Sequence, residues 1–201
     1  MPDLRRRDLL QRSASALLSA SLASTGLAAF AQSDKEGTRP GIELTQLDPE
    51  RGDDGLLLSY TVRFVLPQDV EDALLKGVAM VFVAEAELYE ERWYWSDKRV
   101  GRATRRWRLA YQPLTRRWRV SFDSLSRWYP SLNEALAVMS HASQWRIARN
   151  VPRGEEEEHY VVFNLQLDTN ELPRPLQIGL GGESDWARLA VSRFVKLPPS
   201  R

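Results

Sequence analysis

The sequence predicts a mainly β protein: a β-sandwich of about seven antiparallel strands with two short helices, an α+β open sheet being the alternative. Three observations carry this prediction. Beyond residue 41 the apolar residues recur mostly at every second position, the strand period. Helical periodicity is confined to two short patches, and runs of Gly, Pro, Asp and Asn punctuate the rest. The chain of 201 residues, 43% hydrophobic and 27% charged, has the size and balance of one soluble domain, which argues against wholesale disorder and against a multi-span membrane protein.

Residues 1–31 read as a cleavable signal peptide. Arg5, Arg6 and Arg7 precede Leu9-Leu10, Ser13 to Phe30 is an uncharged Ala, Ser and Leu stretch, and Ala29-Phe30-Ala31 is a small-x-small pattern that places cleavage near Ala31. Arg6-Arg7-x-Leu9-Leu10 resembles a twin-arginine export signal, a general secretory signal being the alternative. The expected address is periplasmic, with no membrane span after cleavage. Residues 32–41 are a flexible polar lead, and 42–197 form the exported domain.

Within that domain, Ile42 to Leu47 is a short strand, closed by the turn formers from Asp48 to Gly55. Leu56, Leu58, Tyr60, Val62, Phe64 and Leu66 share one face of a longer strand that Pro67 ends. Gln68 to Lys76 makes a two-turn helix burying Val70, Leu74 and Leu75, stopped by Gly77. Val78 to Leu88 is apolar on both faces at first, as a central strand is, with an acidic exit at Glu85, Glu87, Glu90 and Glu91.

A hairpin over 101–124 follows, turning at Gln112-Pro113-Leu114-Thr115. Alternation sets Trp107, Leu109 and Tyr111 beside Trp118, Val120 and Phe122 on the core face. The opposite face then carries Arg106 and Arg108 beside Arg117 and Arg119. Ser131-Leu132-Asn133-Glu134 is a capping box that opens a second helix, its pattern extending toward Trp145. Tyr160 to Asp168 is a strand, Leu172 to Leu176 an extended edge because neither proline can donate to a ladder, and Trp186 to Val195 a last strand.

The hairpin, the Ser131-Leu132-Asn133-Glu134-Ala135-Leu136 helix start and above all Leu165-Gln166-Leu167-Asp168-Thr169-Asn170-Glu171-Leu172-Pro173-Arg174-Pro175-Leu176-Gln177 resemble an exported Gram-negative family called domain of unknown function 4390. The likeness spans roughly residues 40 to 195. It implies a small exported protein encoded near a membrane sensor kinase of the nitrogen-regulation type, and it lends no catalytic residues.

The chain has no cysteine, which removes disulfides, thiol catalysis and cysteine-ligated metals. His141 and His159 are isolated, without metal-ligand spacing or a triad. No nucleophile elbow or phosphate loop occurs, and Gly179-x-Gly181-Gly182 reads as a turn. Asp48, Asp53 and Asp54 lack the spacing of a calcium loop. Glu85 and Glu87, which share a strand face, are the best carboxylate pair on offer for a hydrolase. The expectation is a protein that is not an enzyme and takes no cofactor or metal.

The formal charge of +1 becomes −1 once residues 1–31 are removed, and this near-neutrality is a cancellation: residues 92–119 carry +9 and the rest of the mature chain −10. Arginine supplies 20 of the 24 mature basic residues, and its planar fork suits carboxylate or phosphate. Trp93, Trp95, Trp107 and Trp118 are interleaved with those arginines, where they can stack on guanidinium planes or on a ligand.

The leading expectation is an exported binding or adaptor domain. Its face of Arg106, Arg108, Arg117 and Arg119 would meet an acidic protein surface, the membrane sensor kinase being a candidate through family context. An anionic lipid or envelope polysaccharide binder is the alternative, then a carboxylate hydrolase; nucleic acid is disfavoured by export. Against all of these stands the plain reading that the tryptophans are core and the arginines pair internally with acidic strands such as Glu85 to Glu91.

Overall fold

A computed structural model describes residues 39–52, 55–149, 151, 158–174, 176 and 185–197. The proposed signal peptide, most of the polar lead and the 179–182 glycines lie outside them. Among the described residues, nine strands form two antiparallel sheets, one of three strands and one of six.

Strand β1 (Gly41–Gly52) pairs along its whole length with β2 (Gly55–Val65), so the Asp48 to Arg51 run expected as a turn is strand instead. Pro49 is tolerated because β1 is an edge, where a missing N–H breaks no ladder. On β2, Leu56, Leu58, Tyr60 and Val62 are all buried, as alternation requires. Helix α1 (Gln68–Leu75) buries Val70, Ala73 and Leu74 but leaves Leu75 exposed, a correction to its expected burial, and ends where Gly77 takes a φ of +88°.

Strands β3 (Met80–Glu90), β4 (Lys98–Gln112) and β5 (Arg117–Phe122) are consecutive antiparallel neighbours. The hairpin register is the expected one: Trp107 faces Phe122, Leu109 faces Val120 and Tyr111 faces Trp118. The chain then makes β6 (Leu125–Tyr129), a short edge strand whose mostly exposed residues leave no apolar period to read. Ser131 caps α2 (Leu132–Met139), accepting from the Glu134 amide at 3.2 Å.

That helix does not run on to Trp145. It stops at Met139, and β7 (His141–Ala148) pairs with β2 through two irregularities, with Gln144 at a φ of +49°. The irregular pairing breaks the period-two signal, while burial of Ala142, Trp145, Ile147 and Ala148 against the core holds the strand in place.

Strand β8 (His159–Leu167) lies between β3 and β9 (Ala190–Lys196). After β8 comes a 3₁₀ turn, Thr169–Glu171. The expected extended edge over 172–176 is not found: the Leu176 amide returns to the Pro173 carbonyl at 2.9 Å, a turn in which the missing proline N–H costs nothing. Trp186 belongs to a second 3₁₀ turn, Asp185–Arg188, and precedes the last strand rather than opening it.

The core lies between the sheets. Tyr60 of the small sheet packs on Phe163 of the large one with ring centroids 4.8 Å apart, and Phe64 meets Phe82 edge-on at 5.4 Å. Ala84 and Ala86 of β3 are fully buried in this core, and Gly101 lets β4 approach β7 closely, since a Cβ there would stand 2.7 Å from the Ala148 Cβ. No helix among the described residues is long and apolar enough to cross a membrane.

Candidate functional site

Alternation along β3, β4 and β5 makes the outer face of the six-stranded sheet the place where charge collects. All four predicted arginines lie there, but the register staggers them. Arg108 stands opposite Ser121, while Arg119 faces Ala110 and Arg117 faces Gln112, so the set forms a row along the hairpin rather than two cross-strand pairs.

The row divides into two halves. Chain leaving β8 turns at Asp168, whose carboxylate caps the 3₁₀ turn by accepting from the Asn170 amide at 3.2 Å. That turn swings Glu171 over β4. Arg106 donates through Nη2 to Asp168 at 3.0 Å and to Glu171 at 3.3 Å, and Arg108 donates to the other Glu171 oxygen at 3.3 Å. Arg119 instead lies over the Trp128 ring, 5.6 Å from its centroid, and neither Arg117 nor Arg119 has a carboxylate partner among the described residues. Beside the first half is an open hollow of about 300 Å³, lined by Arg106, Arg108, Ser121, Asp123 and Glu171. Each guanidinium has five N–H donors, more than these bonds engage.

Lys98, Arg99 and Arg102 of β4, with Arg92 of the loop before it, meet the acidic strand beside them. Glu85 accepts from Arg102 at 2.6 Å, Glu87 accepts from Arg99 at 2.8 Å, and Glu90 pairs with Arg92 at 3.0 Å and Lys98 at 3.6 Å. The proposed carboxylate pair, Glu85 and Glu87, is therefore engaged by arginines on a sheet face. Burial alone would raise the Glu87 carboxyl, but hydrogen bonds from Tyr89 and Arg99, with the Arg99 and Arg102 charges, hold it below its ordinary 4.5. Glu90 is lowered likewise, burial being outweighed by the Arg92 hydrogen bond and by the Lys98, Arg92 and His159 charges.

Both carboxyls have folded values below their unfolded ones, so the stability they confer is complete above pH 4.5 and is lost as pH falls through the depressed range. A urea midpoint measured against pH is expected to be flat from about pH 5 to 7 and to drop below 4.5, with a smaller drop in Glu87→Gln/Glu90→Gln. An equal drop in that variant would assign the acid sensitivity to other groups.

Trp107 and Trp118 are core. Arg105, on the inner face of β4, lies between the Trp145 and Phe122 rings, 5.1 and 5.7 Å from their centroids, and burial lowers its pKa. His141 is exposed on β7 and His159 is buried on β8, in different sheets. The contribution of Asp168 and Glu171 escaped the sequence reading. Their only signal was a carboxylate at each end of the Asp168-Thr169-Asn170-Glu171 stretch, and nothing local says which strand that stretch overhangs.

Residues 39–193 match a family model described as Domain of unknown function (DUF4390). No curated protein and no solved structure matches the chain.

Proposed function

The chain belongs to the domain of unknown function 4390 family, and since that membership brings no assigned chemistry, we propose from the geometry that the protein is a non-enzymatic binding or adaptor domain that docks an acidic protein surface. The docking face is the arginine row of the large sheet, and the external domain of a membrane sensor kinase is the candidate partner. The address is the periplasm, reached through the signal peptide. One observation carries this reading: Arg117 and Arg119 stand on an open sheet face without a carboxylate partner among the described residues, next to a hollow that Arg106 and Arg108 line. A flat face of forked donors suits the carboxylates of another protein surface, where such contacts set orientation and encounter rate.

Crosslinking and pull-down from an envelope extract tests this. Reversing all four arginines to glutamate also disturbs Asp168 and Glu171, so a second variant, Arg117→Glu/Arg119→Glu, spares the internal pairs. Both are expected to lose a partner that the unaltered chain captures, and capture by the unaltered chain should weaken with added salt. An unchanged set of captured proteins in both variants would remove this face from consideration.

A further inference from the structure

At the opposite end of β4 from Arg117 is a surface of another kind. The loop joining β3 to β4 places Trp93, Tyr94 and Trp95 in succession, 82%, 69% and 79% exposed. Large aromatics are seldom left so open, and three together mark a contact surface. The tip is held at its base: Asp97 accepts from the Arg92 amide at 3.2 Å and from the Tyr160 hydroxyl at 2.5 Å, and the Glu91 amide donates to the Glu158 carbonyl at 2.8 Å. Behind it an aromatic row crosses three strands, Tyr89 stacked on Tyr160 at 5.3 Å and Tyr160 against Phe194 at 4.7 Å.

Charge is layered around this tip. Arg92, Lys98 and Arg99 are about half exposed, whereas the Glu87 and Glu90 side chains they pair with are only 12% and 11% exposed and lie beneath them. An approaching surface therefore meets aromatic rings flanked by Arg92, Lys98 and Arg99, with Asp97, Glu91 and Glu158 also exposed at the base of the loop and the last two paired with Lys196. We propose that this tip seats in the interfacial layer of a phospholipid bilayer, with Trp93, Tyr94 and Trp95 at the glycerol level and Arg92, Lys98 and Arg99 against headgroup phosphates.

Three arguments favour a bilayer over another protein. The tip residues are Trp and Tyr, with no aliphatic among them, and a ring carrying one hydrogen-bond donor suits a boundary that is apolar on one side and wet on the other. Three side chains on a convex loop offer far less than the roughly 800 Å² per partner of a stable protein interface, while a fluid surface can close around them. The cations complement phosphate. With Arg106 eight residues along β4 from Lys98 and Gln112, the partner of Arg117, 14 residues along it, roughly 26 to 46 Å at strand rise, a seated tip would hold the arginine row clear of the membrane. The inference goes beyond the proposed docking of an acidic partner and stands if that docking fails.

Tryptophan quenching by lipids brominated near the headgroup tests it on the full chain, in vesicles of phosphatidylethanolamine and phosphatidylglycerol. Vesicle pelleting alone is not the readout, since the apolar stretch at 13–30 can itself reach lipid. No tryptophan precedes Trp93, so quenching reports on the folded domain. The unaltered chain is expected to be quenched. Tyr94→Asp, which keeps both tip tryptophans but puts a charge between them, should lose that quenching at least fivefold with its melting temperature unchanged, and Arg117→Glu/Arg119→Glu should keep it. No quenching of the unaltered chain, or equal quenching of Tyr94→Asp, overturns the proposal. So does an emission shift caused by soluble polysaccharide or a captured protein and not by vesicles. Quenching lost only in the arginine variant moves lipid contact to the other face and also overturns it.

Discussion

Gly55→Ala is expected to destabilise the protein by roughly 2–6 kcal/mol, combining about 1–3 for a strained backbone with about 1–3 for overpacking. Gly55 opens β2 at a φ of +113°, where a side chain is strained, and a Cβ there would stand 2.0 Å from the Ala148 carbonyl oxygen and 2.6 Å from that of Arg149. Both neighbours are backbone at the end of β7, so neither can rotate aside. A domain of this size loses about 2–4 °C per kcal/mol, which makes the expected fall in Tm about 10 °C. Gly77→Ala is the control: its φ is +88°, but no atom lies within 4 Å of the new methyl, so only conformational strain of about 1 kcal/mol applies. If the two variants melt together, β2 and β7 do not approach as described.

Phe163→Ala is expected to cost about 3–5 kcal/mol by urea unfolding. Phe163 is fully buried on β8, and its ring meets Tyr60 across the sandwich. Truncation removes that contact and leaves a cavity beside a Tyr60 hydroxyl that is already buried without a hydrogen-bond partner among the described residues. Phe194→Ala, on the outer face of β9 and half exposed, should cost under about 1 kcal/mol. A loss of less than about 1 kcal/mol at Phe163 would mean that the two sheets do not share this core.

How much of this was legible in the sequence follows from the range of each interaction. The β4–β5 hairpin was read correctly down to its register because period two and a short loop leave one consistent pairing. β2 was read on the same ground. β1 was cut short because Asp, Pro and Glu look like turn formers, yet an edge strand paired on one side accepts them. The helical pattern that opens at Ser131 runs on toward Trp145 in the sequence because β7 pairs irregularly with β2 and its strand period is correspondingly blurred.

The charge question divides along the same line. Sequence alone determined that the domain is mainly β, that one hairpin face is core and the other basic, and that near-neutrality conceals a +9 segment over residues 92–119 in a chain otherwise at −8. Tertiary structure alone decided how that cancellation is distributed. Glu85, Glu87 and Glu90 reach the cations of β4 because the sheet sets β3 beside it, and Asp168 and Glu171 reach Arg106 and Arg108 from more than 60 residues away. Arg117 and Arg119 extend past those acids onto open sheet. The physical reason is range: side-chain alternation is a property of neighbouring residues, whereas an ion pair requires two side chains within about 4 Å, and only the folded sheet sets that separation.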